Sequence, residues 1–167
     1  MKFFCILLLL IVPTSLTAKT GAADTKNSWR GIRPLQSSAA DVSRLLGVEP
    51  GPVDDSRLGP IEVDGGEVTI TYLTTGLAKI YRAPRSLIGK VFTIYFKPSQ
   101  PVPRSEIKLS RSFKQCNEEA QKYYYYFVSD AGVAYQLRRA SDSVETIIYQ
   151  PSRAEISRLA VNTECVF

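Results

Sequence analysis

Apolar and polar residues between Ser38 and Gly47 recur with the period of an α-helix. The apolar stripe consists of Val42, Leu45 and Leu46, at positions i, i+3 and i+4. Ser38 and Asp41 have the spacing of a capping box, and Gly47 favours the left-handed conformation that ends a helix. A helix of about nine residues is shorter than the roughly 12 to 15 that an isolated helix needs in water, so we expect its stripe to pack onto a sheet.

A second segment, near the C-terminus, repeats this pattern. Ser152 and Glu155 form a further pair with capping-box spacing. The apolar stripe behind them consists of Ile156, Leu159 and Ala160. The pattern predicts a short C-terminal helix.

Between the two helices, runs of β-branched and aromatic residues read as strands. The predicted strands are 61–63, 68–73, 91–96, 122–128, 133–137 and 144–149. The sequence Asp-Gly-Gly at 64–66 predicts a tight hairpin turn, because glycine readily adopts positive φ angles. We interpret 48–60 and most of 74–90 as loops, since proline and glycine interrupt them, and 105–116 fits a helix and a strand equally well.

These elements predict an α+β fold, in which an antiparallel meander of about six to seven strands carries two or three short helices on one face. Residues 91–99 and 144–152 read VFTIYFKPS and VETIIYQPS, with Val, Thr, Ile, Pro and Ser at matching positions. The sequence leaves open whether the sheet is one continuous meander or two similar halves.

The N-terminus carries a different pattern, in which Lys2 is followed by an unbroken apolar run and then by small and polar residues. This pattern is typical of a secretory signal peptide, and the run is shorter than the ~20 residues that a membrane-spanning helix needs. We expect cleavage after Ala18, with Ala22 and Ala23 as alternatives. The predicted organisation is a signal peptide at 1–18, a loose leader at 19–28 and a single α+β domain at 29–167. The predicted location is secreted or periplasmic, with no integral membrane segment after signal cleavage.

Two of the three cysteines remain after signal cleavage, Cys116 and Cys165. An exported chain enters an oxidising compartment, where an even number of cysteines favours a disulfide. A bridge closing a loop of about 50 residues stabilises a fold by roughly 4 kcal/mol when its effect is ascribed to chain entropy. We therefore predict a Cys116–Cys165 disulfide.

The chain has 167 residues, a formal net charge of +5 and no histidine. The absence of histidine excludes the Ser-His-Asp and Cys-His arrangements and the usual imidazole metal ligands. No nucleotide-binding glycine loop is present, and the basic residues are spread too evenly to indicate a nucleic-acid partner. We assign no catalytic residue, metal ligand or cofactor. A Ser-Lys arrangement or a carboxylate pair, as in a glycan hydrolase, is the remaining enzymatic alternative.

The run of tyrosines at 123–126 is the compositional outlier of the sequence. In a strand, Tyr124 and Tyr126 share one face and Tyr123 and Tyr125 the other. The run can be structural, with two rings in the core, or it can present an aromatic patch to a protein, peptidoglycan or sugar partner, since tyrosine combines a large ring with a polar tip. The candidate binding surface consists of Tyr124, Tyr126, Tyr81, Arg82 and Arg85.

The stretch GIRPLQSSAADVSRLLGVEP, at 31–50, resembles the N-terminal signature of exported bacterial proteins of the SmpA/OmlA lipoprotein and β-lactamase-inhibitor-protein type. It is also similar to uncharacterised exported bacterial proteins with a WRGI motif. The resemblance implies short helices against an antiparallel sheet and a function in binding other proteins. This chain lacks the lipidated cysteine of the lipoproteins, and no functional residue is carried over.

Taken together, pattern and resemblance predict an exported, non-catalytic protein that binds another envelope or secreted protein or assists envelope assembly. A carbohydrate-binding or peptidoglycan-binding module is the alternative, followed by a histidine-free carboxylate hydrolase acting on glycans. The oligomeric state stays open.

Overall fold

The fold is built on an eight-stranded antiparallel sheet, which confirms the predicted α+β class. The structure is a computed structural model and describes residues 27–49, 56–111, 113–116 and 123–159. The strands are β1 (Arg57–Val63), β2 (Gly66–Tyr72), β3 (Val91–Pro98), β4 (Val102–Pro103), β5 (Phe113–Cys116), β6 (Tyr124–Ser129), β7 (Val133–Arg138) and β8 (Ser143–Tyr149). The helices within these ranges are α1 (Ala39–Leu46), α2 (Thr75–Ile80) and α3 (Arg153–Ser157), with 3₁₀ turns at Arg85–Leu87 and Arg104–Glu106. The predicted signal peptide and Cys165 lie outside the described residues.

The strand order is β1-β2-β3-β8-β7-β6-β5, and the short β4 also pairs with β8. The sheet thus consists of two meanders, β1 to β3 and β5 to β8, that meet where β3 lies beside β8. At this seam Tyr95 pairs with Ile148. These two residues occupy equivalent positions in the repeated stretches 91–99 and 144–152, so the register is the one expected of two similar halves related by a two-fold axis through the seam.

A close approach recurs at equivalent points of the two halves. A Cβ atom at Gly66 would lie 2.1 Å from the carbonyl oxygen of Lys97, and one at Gly132 would lie 2.3 Å from that of Gln150. Lys97 and Gln150 both precede the proline that ends the repeated strand. Glycine is therefore required at the start of the second hairpin strand in each half.

Helix α1 begins and ends as predicted. Ser38 Oγ accepts a hydrogen bond from the Asp41 backbone N–H, and the Ser38 N–H donates to Asp41 Oδ2 at 2.9 Å. Gly47 has a φ of 67°, in the left-handed region. Of the predicted stripe, Val42 is fully buried but Leu45 is exposed, because α1 contacts the sheet along a narrower strip than the apolar spacing indicates.

Helix α3 also has the predicted capping box, between Ser152 and Glu155. Asn27, at the start of the described chain, is buried and donates from Nδ2 to Glu155 Oε2 and to the Gln150 carbonyl oxygen, each at 3.2 Å. Ile156 is buried in the structure, as the apolar spacing predicts. The chain just before Trp29 is thereby fixed against the C-terminal helix.

Two of the predicted loops contain regular structure. Strand β1 begins at Arg57, whereas the prolines and glycines up to Pro60 predict a loop there. The strand tolerates Pro60 because β1 lies at the edge of the sheet and its register shifts between Leu58 and Ile61. The stretch 74–90 contains α2, which Thr74 caps by accepting from the Leu77 N–H at 3.2 Å. Its six residues are too few to show an apolar stripe, which is why the pattern misses it.

The two faces of the sheet differ in their side chains. One, which we call the inner face, carries the main core, including Val68, Ile70, Ile94, Phe127, Tyr135 and Leu137. Val42 of α1, Trp29 and Ile32 belong to the same cluster, and Trp29 lies 5.5 Å from Phe96 between ring centroids. The opposite side, which we call the groove face, carries Thr69, Tyr95, Tyr126, Gln136 and Thr146, which alternate with the inner residues.

Candidate binding site on the groove face

A groove runs along the groove face of the sheet and consists of three neighbouring depressions. The first, of about 590 Å³, crosses the central strands. Its lining includes Thr69, Thr71, Tyr95, Tyr126, Gln136 and Thr146. Strand pairing brings these residues together in rows: Tyr126, Gln136 and Thr146 are direct partners across β6, β7 and β8.

The second depression, of about 430 Å³, lies where β8 changes its partner. Ile147 pairs with Phe96 of β3, whereas Val144 pairs with Val102 of β4. Between these pairs lie Glu145 and Thr146, and a register shift relative to β7 occurs at the same point. Bulges of this kind re-aim side chains, so the second depression is a product of the seam between the two meanders.

The third depression, of about 490 Å³, is lined by Tyr123, Tyr124, Arg138, Arg139 and Ala140. It shares Tyr124 and Arg138 with the second depression. The second in turn shares Lys97, Gln136 and Thr146 with the first. The three therefore form one elongated groove.

Hydrogen bonds hold the floor of the groove in place. Gln136 Nε2 donates to Tyr126 Oη at 2.9 Å, and Tyr126 is only 2% exposed. Burial raises the pKa of Tyr95, while a hydrogen bond with Thr93 and the charge of Arg57 act in the opposite direction. Burial and the hydrogen bond from Gln136 fix the position of the Tyr126 ring in the floor.

Charged side chains along the groove are paired. Lys97 Nζ lies 3.9 Å from Glu67 Oε1. Arg138 makes two contacts with Glu145, one of them a 3.1 Å hydrogen bond from Nη2 to Oε2, and this bond raises the pKa of Arg138. The Arg138 guanidinium also lies 5.9 Å from the ring centroid of Tyr124. Glu67 lines the first depression and Glu145 the second.

The candidate surface taken from the sequence is divided by the structure. Tyr124 and Tyr126 line the groove, Tyr124 half-buried and Tyr126 buried. Tyr81 stacks on Phe92 with 5.1 Å between ring centroids. Arg82 and Arg85 are exposed beyond α2 and line none of the three depressions.

Sequence reasoning missed Lys97, Gln136 and Thr146, which line both the first and the second depression. Alternation along a single strand places each of them on a face. Only the register between the strands shows that these three side chains lie near Tyr126 on the same face of the sheet.

Cys116 ends β5 and is buried. Its predicted partner Cys165 lies outside the described residues, so the disulfide stays a prediction. Across the described ranges, no three histidine, cysteine, aspartate or glutamate side chains gather as a metal site would need. No helix in the described part of the chain is long and apolar enough to span a membrane.

Comparisons with protein-family models, curated proteins and solved structures find no match for this chain. The resemblance of its N-terminal signature to the SmpA/OmlA and β-lactamase-inhibitor-protein type therefore stays a prediction.

Proposed function

We propose that this chain is an exported, non-catalytic protein of the cell envelope that acts by binding a ligand in the groove. The observation that carries the proposal is the row Tyr126–Gln136–Thr146, in which three central strands present polar side chains to one open depression. Side chains on paired strands are held more precisely than side chains on loops, as a recognition site requires.

Packing accounts for only part of this row, because Tyr126 belongs to a small buried cluster on the groove face, whereas Gln136 and Thr146 belong to no hydrophobic cluster. The main core lies on the inner face, where α1 and the segment around Trp29 close it. The smaller cluster on the groove face consists of Cys116, Tyr126, Val128, Ala134 and Ile148. A groove of several hundred Å³ lined by a few converging polar groups has the size and character of a ligand site. Export is supported by the signal-peptide pattern at 1–18.

A binding role fits the chemistry of the groove better than catalysis. Its carboxylates Glu67 and Glu145 each pair with a cation, and the chain has no histidine to act as a general base.

The Cys116–Cys165 disulfide belongs to the same proposal, since it follows from export. Peptide mapping of the exported protein under non-reducing conditions should recover the two cysteines in one linked fragment. Two free thiols in the exported protein would refute it.

The test of the proposed function is retention on isolated envelope material. The exported protein, purified after signal removal, is mixed with washed envelopes and sedimented, together with Thr146→Trp, which fills the groove where two depressions meet. Thr75→Trp, an exposed position of α2 outside the groove, is the matched control. We expect the wild type and Thr75→Trp to sediment and Thr146→Trp to remain in solution, with all three showing the same circular dichroism spectrum.

Equal retention of the two tryptophan variants would remove the groove as the site. Failure of the wild-type protein to sediment would contradict the proposed function itself.

A further inference from the structure

The position of the groove limits what it can recognise. Its floor lies on the central strands β2, β3, β8, β7 and β6, each of which has a neighbour on both sides. An extended peptide that recognises a sheet by strand addition needs a free edge. A ligand in this groove must therefore be read by side chains.

The uncharged polar groups of the floor are hydroxyls and an amide. Thr69 and Thr146 contribute hydroxyl groups and Gln136 an amide, and each of these groups can both donate and accept. The hydroxyl of Thr71 already bonds to the backbone of Thr93. Ile148 is the single aliphatic residue lining the first depression. Protein partners are usually anchored by large apolar or aromatic side chains in fitted pockets. In the first depression, Ile148 and one of the two tyrosines, Tyr126, are almost fully buried, which leaves them little surface for such an anchor.

The charges of the groove favour an uncharged ligand. Lys97 is paired with Glu67, and Arg138 with Glu145, so each cation in the middle of the groove already has a carboxylate beside it. Arg57 lines only the first depression and Arg139 only the third, at opposite ends. An anionic polymer would be expected to meet a continuous row of cations instead.

The shape of the groove favours a chain over a single small molecule. Three depressions of about 590, 430 and 490 Å³ follow one another. Tyr124 lies where the second meets the third, and a half-buried tyrosine offers both ring surface and a polar tip. Successive depressions of similar size suit a ligand with a repeating unit.

From these four features we infer that the groove binds an uncharged glycan chain, whose hydroxyl groups match the hydroxyl and amide groups of the floor and whose successive sugar rings occupy successive depressions. This inference rests on the proposed function, because it names the ligand of the same site.

The test repeats the sedimentation experiment on envelope material that has been digested either with protease or with a mixture of glycoside hydrolases. We expect protease treatment to leave retention unchanged and glycan digestion to abolish it. Retention should also be the same at 50 mM and 500 mM salt, since screening has little effect on contacts between uncharged groups.

Gln136→Ala removes the amide that joins the first and second depressions, and Gln36→Ala, exposed before α1, is its matched control. We expect at least a fivefold loss of affinity for the former and none for the latter.

Three results would overturn the glycan inference: retention lost after protease treatment, retention unaffected by glycan digestion, or retention abolished by salt. Each of these leaves the proposed function standing, because untreated envelopes still retain the protein. If untreated envelopes at low salt do not retain the wild-type protein, that result contradicts the proposed function and not only the glycan inference.

Discussion

The two faces of the sheet are built from the same strands but differ in the side chains they carry and in how far these are buried. On the inner face, aliphatic and aromatic side chains form the main buried core, and a helix and a tight turn at the N-terminus cover it. On the groove face, neighbouring positions of the same strands carry threonine, glutamine and paired charges that line open depressions. Alternation along a strand permits this division. Burial of apolar surface explains the inner face and the small cluster around Ala134 and Ile148 on the groove face, but not the threonines, the glutamine and the paired charges.

This difference separates residues whose burial stabilises the fold from residues whose side chains the fold positions at the groove. A change on the inner face should cost stability. A change on the groove face should cost less stability and should alter binding. Substitutions at adjacent or matched positions test the division directly.

The largest effect is expected from adjacent residues of β7. Leu137 is fully buried on the inner face, and Leu137→Ala should lower the free energy of unfolding by about 2–5 kcal/mol, because it leaves a cavity. Gln136, the next residue along the strand, points to the groove, and Gln136→Ala should cost about 1 kcal/mol for its lost hydrogen bond. Urea denaturation measures both. Similar losses of unfolding free energy for the two variants would contradict the difference between the two faces.

The same substitution on the two faces should have opposite signs. Tyr72 lies in the core, its hydroxyl has no hydrogen-bond partner among the described residues, and burial raises its pKa. Tyr72→Phe should raise the free energy of unfolding by about 1 kcal/mol, since an unsatisfied polar group is removed. Tyr126→Phe removes the acceptor of the Gln136 bond and should lower it by about 1 kcal/mol. Thermal unfolding of both variants is the measurement, and a shift in the same direction for both would contradict the assignment.

A smaller effect is expected at the ion pair of the groove face. Glu145→Gln removes the carboxylate that Arg138 contacts, and it should lower stability only slightly because Arg138 is half exposed and solvent screens the pair. The loss should shrink in 1 M salt, where charges are screened. Glu106→Gln, an exposed position of the second 3₁₀ turn, is the control and should show no change. A loss at Glu145 that is independent of salt would mean that the side chain stabilises by packing.

The smallest effect concerns the cap of α1, the helix that closes the inner face. Hydrogen bonds from the backbone and hydroxyl of Ser38, and then from Arg44, lower the pKa of Asp41 from 3.8 to about 2. A carboxyl group with a lowered pKa stabilises the folded state above its unfolded pKa, and this contribution is lost as pH falls from about 4 to about 2. Between these pH values the wild type should lose more stability than Asp41→Asn, as measured by urea denaturation at each pH. Parallel curves for the two proteins would show that the cap does not depend on the charge.

Features that depend on a few neighbouring residues could be predicted from the sequence. The capping boxes at Ser38 and Ser152 are local hydrogen-bond patterns, and both are present. The opposite orientation of Tyr125 and Tyr126 follows from alternation alone, and Tyr125 belongs to the main core while Tyr126 lines the groove. The N-terminal half of β1 was missed because the tolerance of Pro60 depends on the strand lying at the edge of the sheet.

The candidate site was predicted only in part. Tyr124 and Tyr126 of the candidate surface line the groove, whereas Arg82 and Arg85 line none of its three depressions. Gln136 and Thr146 have no distinguishing local pattern. They become part of a site because their strands pair in a particular register with the strand of Tyr126.

The sequence by itself determined the fold class, the two capped helices, the main strands and turns, and the absence of histidine-dependent chemistry. Each of these depends on residue identity or on contacts within about one helical turn or one hairpin, so short stretches are sufficient to specify them. Only the tertiary structure decided that β3 lies beside β8, that Tyr95 meets Ile148, and that a polar groove opens along this seam. Contacts between residues so far apart in sequence are selected by the packing of the whole core and the pairing of all strands at once, which no local pattern contains.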